Sequence, residues 1–159
     1  MIMKKIENIN PVIILSEFNE DIVENLYLGV KKSFKDSGIK NISEKKIYVP
    51  GAFELPFIAH KVLKNDLEND GNLSFIITLG CVIKGETAHF EYISGACANS
   101  ISSLSTKSHV PIMFGVITTY TREQANNRSQ IKFEDISNRN IGYDVASAAI
   151  KTLSSLREI

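Results

Sequence analysis

The sequence predicts an α/β protein in which a parallel sheet is flanked by helices. Apolar runs rich in β-branched residues alternate along the chain with stretches of helical periodicity, which is typical of strand–helix–strand units with right-handed crossovers. Two of the runs, SFIITLGCVI and PIMFGVITT, are nearly continuous rather than alternating. Continuous apolar runs indicate strands buried on both faces, as in a parallel sheet covered by helices. The predicted strands comprise residues 11–16, 46–49, 74–83 and 111–118.

Helical patterns lie between and after these strands. The first has apolar residues along one face, Asn19 as its N-cap, and Gly38 beyond its end. Further on, Thr121 and Gln124 form a capping box, which opens a short helix. The other predicted helices repeat the apolar stripe at helical spacing. Besides the short one, the predicted helices comprise residues 19–37, 54–65, 87–106 and 141–156.

The chain has a simple organisation. A length of 159 residues suits one domain with a sizeable core. We expect a single domain over 1–159, in which residues 1–10 form an extended N-terminal arm. The one irregular stretch is the polar linker at 129–140, between the last two helices.

Composition excludes several classes of protein. Lys and Arg number 18 and so do Asp and Glu, so no basic excess favours nucleic-acid binding. Cys81 and Cys97 lie far from any histidine pair, which favours buried free thiols over a zinc site and a reducing compartment over secretion. No apolar run follows the N-terminal lysines, and no stretch approaches the roughly 18 apolar residues of a membrane span. We expect a soluble, cytoplasmic protein with small-molecule or protein partners.

Candidate ligand groups follow the carboxyl ends of the strands, where open α/β sheets bind ligands. Phe18 lies after the first strand, directly before a helix. It can pack on that helix as a hydrophobic staple or present an aromatic face to a flat heterocycle. Glu54 follows a Pro-Gly turn after the second strand. Its carboxylate can favour the helix start through the dipole or accept hydrogen bonds from sugar hydroxyls, and the spacing alone supports both.

The loop after the third strand is the strongest candidate for chemistry. Gly85 loosens the turn, and the backbone N–H groups near Glu86 and Thr87 open the next helix. Unpaired donors and the helix dipole together form an anion site, which the Glu86 side chain should point away from. His89, one turn into that helix, titrates near neutral pH and can transfer protons, although a lone histidine there is more often structural. Arg128, after the fourth strand, can form a surface ion pair or bind a phosphate through its planar guanidinium group.

Four segments in this order and spacing carry a family resemblance. VPGAFELP, LGCVIKGETAHFEY, PIMFGVITT and EQANNR are together similar to lumazine synthases, and the similarity extends from Pro11 to about Leu156. The resemblance implies a three-layer, flavodoxin-like sandwich with a four-stranded parallel sheet and helices on both faces. It also implies a transferase of riboflavin biosynthesis that needs no metal or cofactor. Such an enzyme condenses 5-amino-6-(D-ribitylamino)uracil with 3,4-dihydroxy-2-butanone 4-phosphate, giving 6,7-dimethyl-8-ribityllumazine and phosphate.

Residue roles follow from the same resemblance. Phe18 matches the aromatic residue that stacks on the uracil ring, and His89 matches the proton-transfer histidine, the expected catalytic residue. Phe114 and Arg128 match residues that the neighbouring subunit contributes to the pocket, with Arg128 on the phosphate. The remaining expected contacts are to the ribityl chain (Ala52, Phe53, Glu54), to the pyrimidine (Cys81, Val82, Ile83) and to the phosphate (Glu86, Thr87).

Assembly and partners are implied in the same way. The family forms homopentamers with active sites between adjacent subunits, some of which build larger shells, and riboflavin synthase is a further partner. Two features depart from the family pattern. The family triplet Asn-Lys-Gly before the last helix reads Asn140-Ile141-Gly142, so a lysine that approaches the ligand is replaced, with Arg139 or Lys132 as substitutes. The linker before it is longer than usual, which favours a pentamer over a shell.

Alternative functions stay open on the sequence. An archaeal-type riboflavin synthase shares the ancestry but needs no phosphate site, so Thr87 with Arg128 argues against it. A non-catalytic lumazine- or flavin-binding module would keep the pocket but lose catalysis. The presence of His89 and Arg128 argues against it, whereas the altered triplet at Asn140–Gly142 leaves room for it. A flavodoxin-like signalling domain would need an acidic cluster after its first strand, where Ser16-Glu17-Phe18 supplies one carboxylate.

Overall fold

A computed structural model describes residues 6–69, 71–133 and 139–159. The strands are β1 (Asn8–Ile9), β2 (Pro11–Ser16), β3 (Asn41–Ile42), β4 (Lys45–Val49), β5 (Phe75–Ile83) and β6 (Ile112–Thr119). The helices are α1 (Glu20–Asp36), α2 (Leu55–Glu68), α3 (His89–Ser105), α4 (Arg122–Asn127) and α5 (Ile141–Leu156). A short 3-10 turn (Ala52–Glu54) precedes α2.

The main sheet has four parallel strands in the order β4-β2-β5-β6. This confirms the predicted fold class, and each predicted strand differs from the observed one by at most one residue at either end. The central strands β2 and β5 are buried along almost their whole length, which explains their continuous apolar sequences. The edge strand β6 is covered only in part on each face. Ile117 enters one core, and Ile112 and Val116 enter the other. Phe114 and Thr118 are exposed on it.

Helices cover both faces of the sheet and form one core on each side. Successive residues of β2 point to opposite faces, so Ile13 and Leu15 enter the core under α1 and α5. Val12 and Ile14 enter the core under α2 and α3. The site described below lies at the carboxyl ends of these strands.

A second, two-stranded parallel sheet was not predicted. It pairs Asn8 with Asn41 and Ile9 with Ile42, and the Asn41 Nδ2 donates to Asn8 Oδ1 at 2.6 Å. Strands of two residues are too short to show an alternating pattern in the sequence. Of the predicted arm at 1–10, residues 1–5 lie outside the described residues.

The observed bounds of α1, α2 and α3 differ from the predicted ones by one to three residues, and the start of α3 matters for the site. Helix α3 begins at His89, two residues after the predicted start at 87, and α2 extends to Glu68. The predicted Thr121 cap of α4 is confirmed, because its Oγ1 accepts from Gln124 N at 3.2 Å. The Gln124 side chain reaches back one residue further than in a capping box, since its Oε1 accepts from Tyr120 N at 2.9 Å. The predicted last helix has the observed bounds of α5.

The buried side chain of Asn140 joins the linker, α1 and the start of α5. Its Nδ2 donates to the carbonyl oxygens of Asn25 at 2.9 Å and Gln130 at 3.0 Å. Its Oδ1 accepts from Tyr143 N at 3.2 Å and caps α5. The described ends of the linker are thereby fixed, and Ser129 pairs with Asn140 in an antiparallel bridge. Linker residues 134–138 lie outside the described residues.

Two glycines allow α1 and α5 to approach closely at this point. A Cβ on Gly142 would lie 1.8 Å from the Leu26 carbonyl oxygen, and a Cβ on Gly29 would lie 2.0 Å from Asn140 Oδ1. Neither distance is compatible with a side chain. Within the described ranges, no helix is both long enough and apolar enough to cross a bilayer.

Candidate active site

A pocket of about 530 Å³ opens at the carboxyl end of the sheet. Its wall comes from Phe18 after β2, from residues 50–54 after β4, from the end of β5 with the turn that follows, and from the start of α3. This is where open α/β sheets bind ligands. The structure brings together nine of the predicted site residues in its wall: Phe18, Ala52, Phe53, Glu54, Cys81, Val82, Ile83, Thr87 and His89.

Phe18 is held by its backbone while its ring stays free. The N–H groups of Glu17 and Phe18 donate to the carbonyl oxygens of Val49 at 2.8 Å and Pro50 at 3.1 Å. The ring is 69% exposed, so it does not act as a buried staple. The free ring face is the arrangement that stacking on a flat ligand requires.

Asn19 corrects one prediction. It occupies the N-cap position of α1 in the left-handed region, with φ of 58°, but its side chain caps no N–H group. Instead, Nδ2 donates to the Cys81 carbonyl oxygen at 2.9 Å. Asn tolerates this conformation better than other side chains. The residue therefore ties the segment that carries Phe18 to the end of β5.

The segment after β4 forms the second wall. Ala52 is buried, whereas Phe53 is exposed at the rim. Glu54 stands at the N-cap of α2, but its side chain makes no capping hydrogen bond. Its carboxylate is therefore available to accept hydrogen bonds from a ligand in the pocket.

The end of β5 supplies an apolar wall. Cys81 and Val82 are buried, and both cysteines are free thiols, as predicted. Burial raises the pKa of the Cys81 thiol to about 12, and the nearby Arg122 offsets this only in part. Cys81 is thus a neutral wall residue near pH 7 rather than a nucleophile.

The turn before α3 has the unpaired donors of an anion site. Because α3 begins at His89, the prediction that the helix opens at Thr87 and that His89 lies one turn inside it is wrong. Within the described residues, the backbone N–H groups of Gly85, Glu86, Thr87 and Ala88 donate no hydrogen bond. They lie at the positive end of a helix of 17 residues.

His89 is the first residue of α3 and lines the pocket beside this turn. Its backbone N–H donates to Thr87 Oγ1 at 3.4 Å, while the imidazole is exposed. Glu86 is exposed and does not line the pocket, so the structure does not bring this predicted phosphate contact into the wall. The histidine is therefore next to the anion-binding turn, as a proton-transfer group would need to be.

Phe114 and Arg128 are not brought to this pocket by their own chain. Phe114 is exposed on the edge strand β6. Arg128 ends α4, where Nη1 donates to the Gln124 carbonyl oxygen at 2.9 Å. Among the residues that line the pocket there is no lysine or arginine. Within the described chain, no cluster of His, Cys, Asp or Glu could hold a metal ion.

Several wall residues were missed in the sequence. Pro50, Gly51 and Gly85 contribute backbone, and Phe90 and Ile93 contribute side chains from α3. The sequence pattern placed Phe90 and Ile93 on the buried stripe of their helix. For Ile93 the available signal was its position four residues after His89, because residues at that spacing share a helix face. Phe90, the residue after His89, gave no such signal.

Ile141 stands where the resemblance places a lysine. It is half-buried and packs against the core under α1 and α5. The neighbouring Arg139 is engaged on the surface, with Nε 3.5 Å from Asp144 Oδ2. The outer residues of the triplet, Asn140 and Gly142, are required by the helix contact described above.

Comparisons with known proteins agree with this arrangement. Residues 8–157 match the family model for 6,7-dimethyl-8-ribityllumazine synthase. The chain is also 37% identical over 147 residues to 6,7-dimethyl-8-ribityllumazine synthase 1 of Caulobacter vibrioides, covering 92% of this chain and 90% of that protein. The chain therefore belongs to the 6,7-dimethyl-8-ribityllumazine synthase family.

Proposed function

We propose that this chain is a transferase of riboflavin biosynthesis that makes 6,7-dimethyl-8-ribityllumazine. Its substrates are 5-amino-6-(D-ribitylamino)uracil and 3,4-dihydroxy-2-butanone 4-phosphate. The observation that carries the proposal is the union, in one pocket, of an exposed aromatic ring, a free carboxylate, unpaired backbone donors and a histidine. Each of these four groups suits one part of the two substrates.

The ribitylaminouracil is assigned to the side of the pocket near Phe18. The exposed ring of Phe18 offers a stacking face for the uracil, and a stack of this kind contributes about 0.5–1.5 kcal/mol beyond area burial. Glu54 can accept hydrogen bonds from the ribityl hydroxyls, next to Ala52 and Phe53. The apolar wall of Cys81, Val82 and Ile83 then borders the pyrimidine.

The phosphate of the second substrate is assigned to the turn before α3. Four backbone N–H groups there have no acceptor in the described chain, and the helix dipole favours an anion at the same place. The Thr87 side chain and the Glu86 backbone are the expected contacts. The positive charge that neutralises the phosphate would come from Arg128 of an adjacent subunit. The planar guanidinium of an arginine suits phosphate oxygens.

The reaction needs proton transfers more than it needs a strong nucleophile. The uracil amine attacks the ketone, a first water leaves to give an imine, and phosphate is eliminated. The second amine then closes the ring on the remaining carbonyl, and a second water leaves. His89 can move these protons because its imidazole has both a proton donor and a proton acceptor and lines the pocket beside the phosphate turn. Arg128 and the helix start would stabilise the charge that grows on the departing phosphate, and holding the two substrates together supplies much of the remaining acceleration.

We further propose a homopentamer with active sites between adjacent subunits. The pocket of one chain has exposed Phe18 and Phe53 at its rim and no cation in its wall. Phe114 and Arg128 lie elsewhere on the chain, so a neighbour would have to supply them. The long linker favours a pentamer over a shell. A reducing cytoplasm suits the buried free thiols, and riboflavin synthase would be the partner that consumes the product.

The alternatives are less well supported. An archaeal-type riboflavin synthase would not need the unpaired donors of the phosphate turn. A non-catalytic binding module would not need His89 beside them. A direct test mixes the purified protein with both substrates and follows lumazine absorbance. Turnover supports the proposal, and ligand binding without turnover supports the module. The absence of both turnover and binding would contradict both.

Subunit mixing tests the shared site. His89→Ala removes a group of the chain's own pocket, and Arg128→Ala removes the group assigned to the neighbour's pocket. If the two variants are unfolded together and refolded as mixed pentamers, about one quarter of the interfaces regain both groups by random pairing. Recovery of about that share of wild-type activity supports a site between subunits. No recovery above the separate variants contradicts it.

A further inference from the structure

The pocket lacks a permanent positive charge of its own. The titratable side chains in its wall are Glu54, Cys81 and His89, and the turn is further flanked by exposed Glu86 and Glu91. Backbone donors alone must therefore hold a doubly charged phosphate against nearby carboxylates until a neighbouring subunit contributes. A cation on the same chain and next to the turn would relieve this repulsion.

Lys84 is the cation that the fold places there. Its backbone N–H donates to the Thr119 carbonyl oxygen at 2.9 Å, which fixes the main chain where β5 ends and the turn begins. Its Nζ lies 5.9 Å from the Phe90 ring centroid and 5.6 Å from the Tyr120 ring centroid. The two rings meet edge to face with centroids 6.1 Å apart, and Phe90 lines the pocket.

The ammonium of Lys84 is only weakly engaged. Lys31, Lys32, Lys40, Lys46 and Lys64 each have a carboxylate oxygen between 2.6 and 3.9 Å from Nζ. In the described part of the chain, Lys84 has no such ion pair and rests over aromatic rings instead. Cation–π contacts at exposed sites are weak. An arriving phosphate can therefore recruit this side chain without breaking an ion pair.

We propose that Lys84 is a phosphate-binding residue of its own subunit's active site. This inference rests on the proposed function, because that function assigns a phosphate to the adjacent turn. When the site is empty, the Lys84 side chain lies over the rings of Phe90 and Tyr120. When the N–H groups of residues 85–88 hold a phosphate, the side chain turns toward it. The phosphate is then neutralised from two sides, by Lys84 of one subunit and Arg128 of the next.

The test measures binding of inorganic phosphate and does not depend on turnover. Lys84→Gln removes the charge, Lys84→Met also keeps an apolar stem over the rings, and Lys84→Arg restores a cation. Lys64→Gln is the matched control, because it removes one exposed lysine charge near the far end of α2. Titrations at fixed, low ionic strength give the phosphate dissociation constant, and thermal unfolding checks that each variant is folded.

We expect Lys84→Gln and Lys84→Met to weaken phosphate binding roughly tenfold, as is typical for a hydrogen bond to a charged group. Lys84→Arg should bind nearly as well as wild type, and Lys64→Gln should be unchanged. Equal affinity in Lys84→Gln and wild type, or an equal loss in Lys64→Gln, would overturn the inference.

Turnover gives a second, independent readout. Where lumazine is formed, Lys84→Gln and Lys84→Met should raise KM for the butanone phosphate while leaving KM for the ribitylaminouracil unchanged. If Lys84 only supported the two rings, Lys84→Gln would change the KM values for both substrates. Lys84→Met, which keeps the apolar stem, would then resemble wild type. If lumazine is not formed but phosphate binding still depends on Lys84, the proposed function fails and the phosphate site stands.

Discussion

Replacing Asn140 should destabilise the chain far more than losing an ordinary helix cap. The side chain makes three hydrogen bonds, to the Asn25 and Gln130 carbonyl oxygens and from Tyr143 N. Loss of the cap costs about 1 kcal/mol. Each of the two donated bonds contributes about 1 kcal/mol net. Asn140→Ala should therefore lower the free energy of unfolding by about 3 kcal/mol.

Asn140→Asp separates the cap from the two donated bonds. The aspartate keeps an acceptor for Tyr143 N, but it has no N–H to donate and places negative charge beside two carbonyl oxygens. We expect a loss at least as large as that of Asn140→Ala. Thr121→Ala is the matched control, since it removes only the cap of α4 and should cost about 1 kcal/mol.

Urea unfolding followed by circular dichroism measures all three variants. The protein concentration must be the same throughout, because subunit association adds to the apparent stability. Wild-type stability in Asn140→Asp would refute the reasoning, since the cap alone would then account for the residue. A loss in Asn140→Ala no greater than that in Thr121→Ala would refute it equally.

Three further outcomes are expected. Gly142→Ala should lower the free energy of unfolding by about 3 kcal/mol or more, because its Cβ would lie 1.8 Å from the Leu26 carbonyl oxygen; an unchanged thermal midpoint would show that α5 can shift at no cost. Cys81 and Cys97 should resist iodoacetamide at pH 8 in the folded protein and react in urea, because burial raises their pKa values to about 12 and about 11. Stoichiometric labelling of the folded protein would contradict the burial of these thiols. The unfolded thiols ionise near pH 9.0, so the free energy of unfolding should fall as the pH rises from there toward 12. His89→Ala should lower kcat by about 100-fold while substrate binding persists, and a folded, binding-competent but fully inactive variant would show that positioning contributes less than we propose.

The parts of the fold that could be predicted are those with long apolar periodicity. The four strands of the main sheet and helix α5 were recovered almost residue by residue because burial on one or both faces imposes a pattern. The pair Asn8–Ile9 and Asn41–Ile42 could not be recovered, since two residues carry no period. The start of α3 was misplaced because Thr87 resembles an N-cap, while the observed N-cap, Ala88, has no capping side chain.

The candidate site was predictable where it depends on segments that follow strands, and less so where it depends on packing. Topology brings the ends of β2, β4 and β5 together, so residues after each strand meet in one pocket. The role of Asn19 was missed because a cap and a bond to a neighbouring strand look alike in sequence. In the sequence, the triplet Asn140-Ile141-Gly142 was notable only for its missing lysine. The structure shows that the contact between α1 and α5 requires its two outer residues.

The anchored backbone at Phe18 has a consequence for binding kinetics. Hydrogen bonds hold residues 17–19 to β4's end and to β5 before any ligand arrives. A stacking surface of this kind needs no loop ordering on association, so little conformational entropy is lost at that step. Ring-shaped ligands should then bind at rates set by diffusion and desolvation, and substitutions that weaken the stack should act mainly by shortening the residence time.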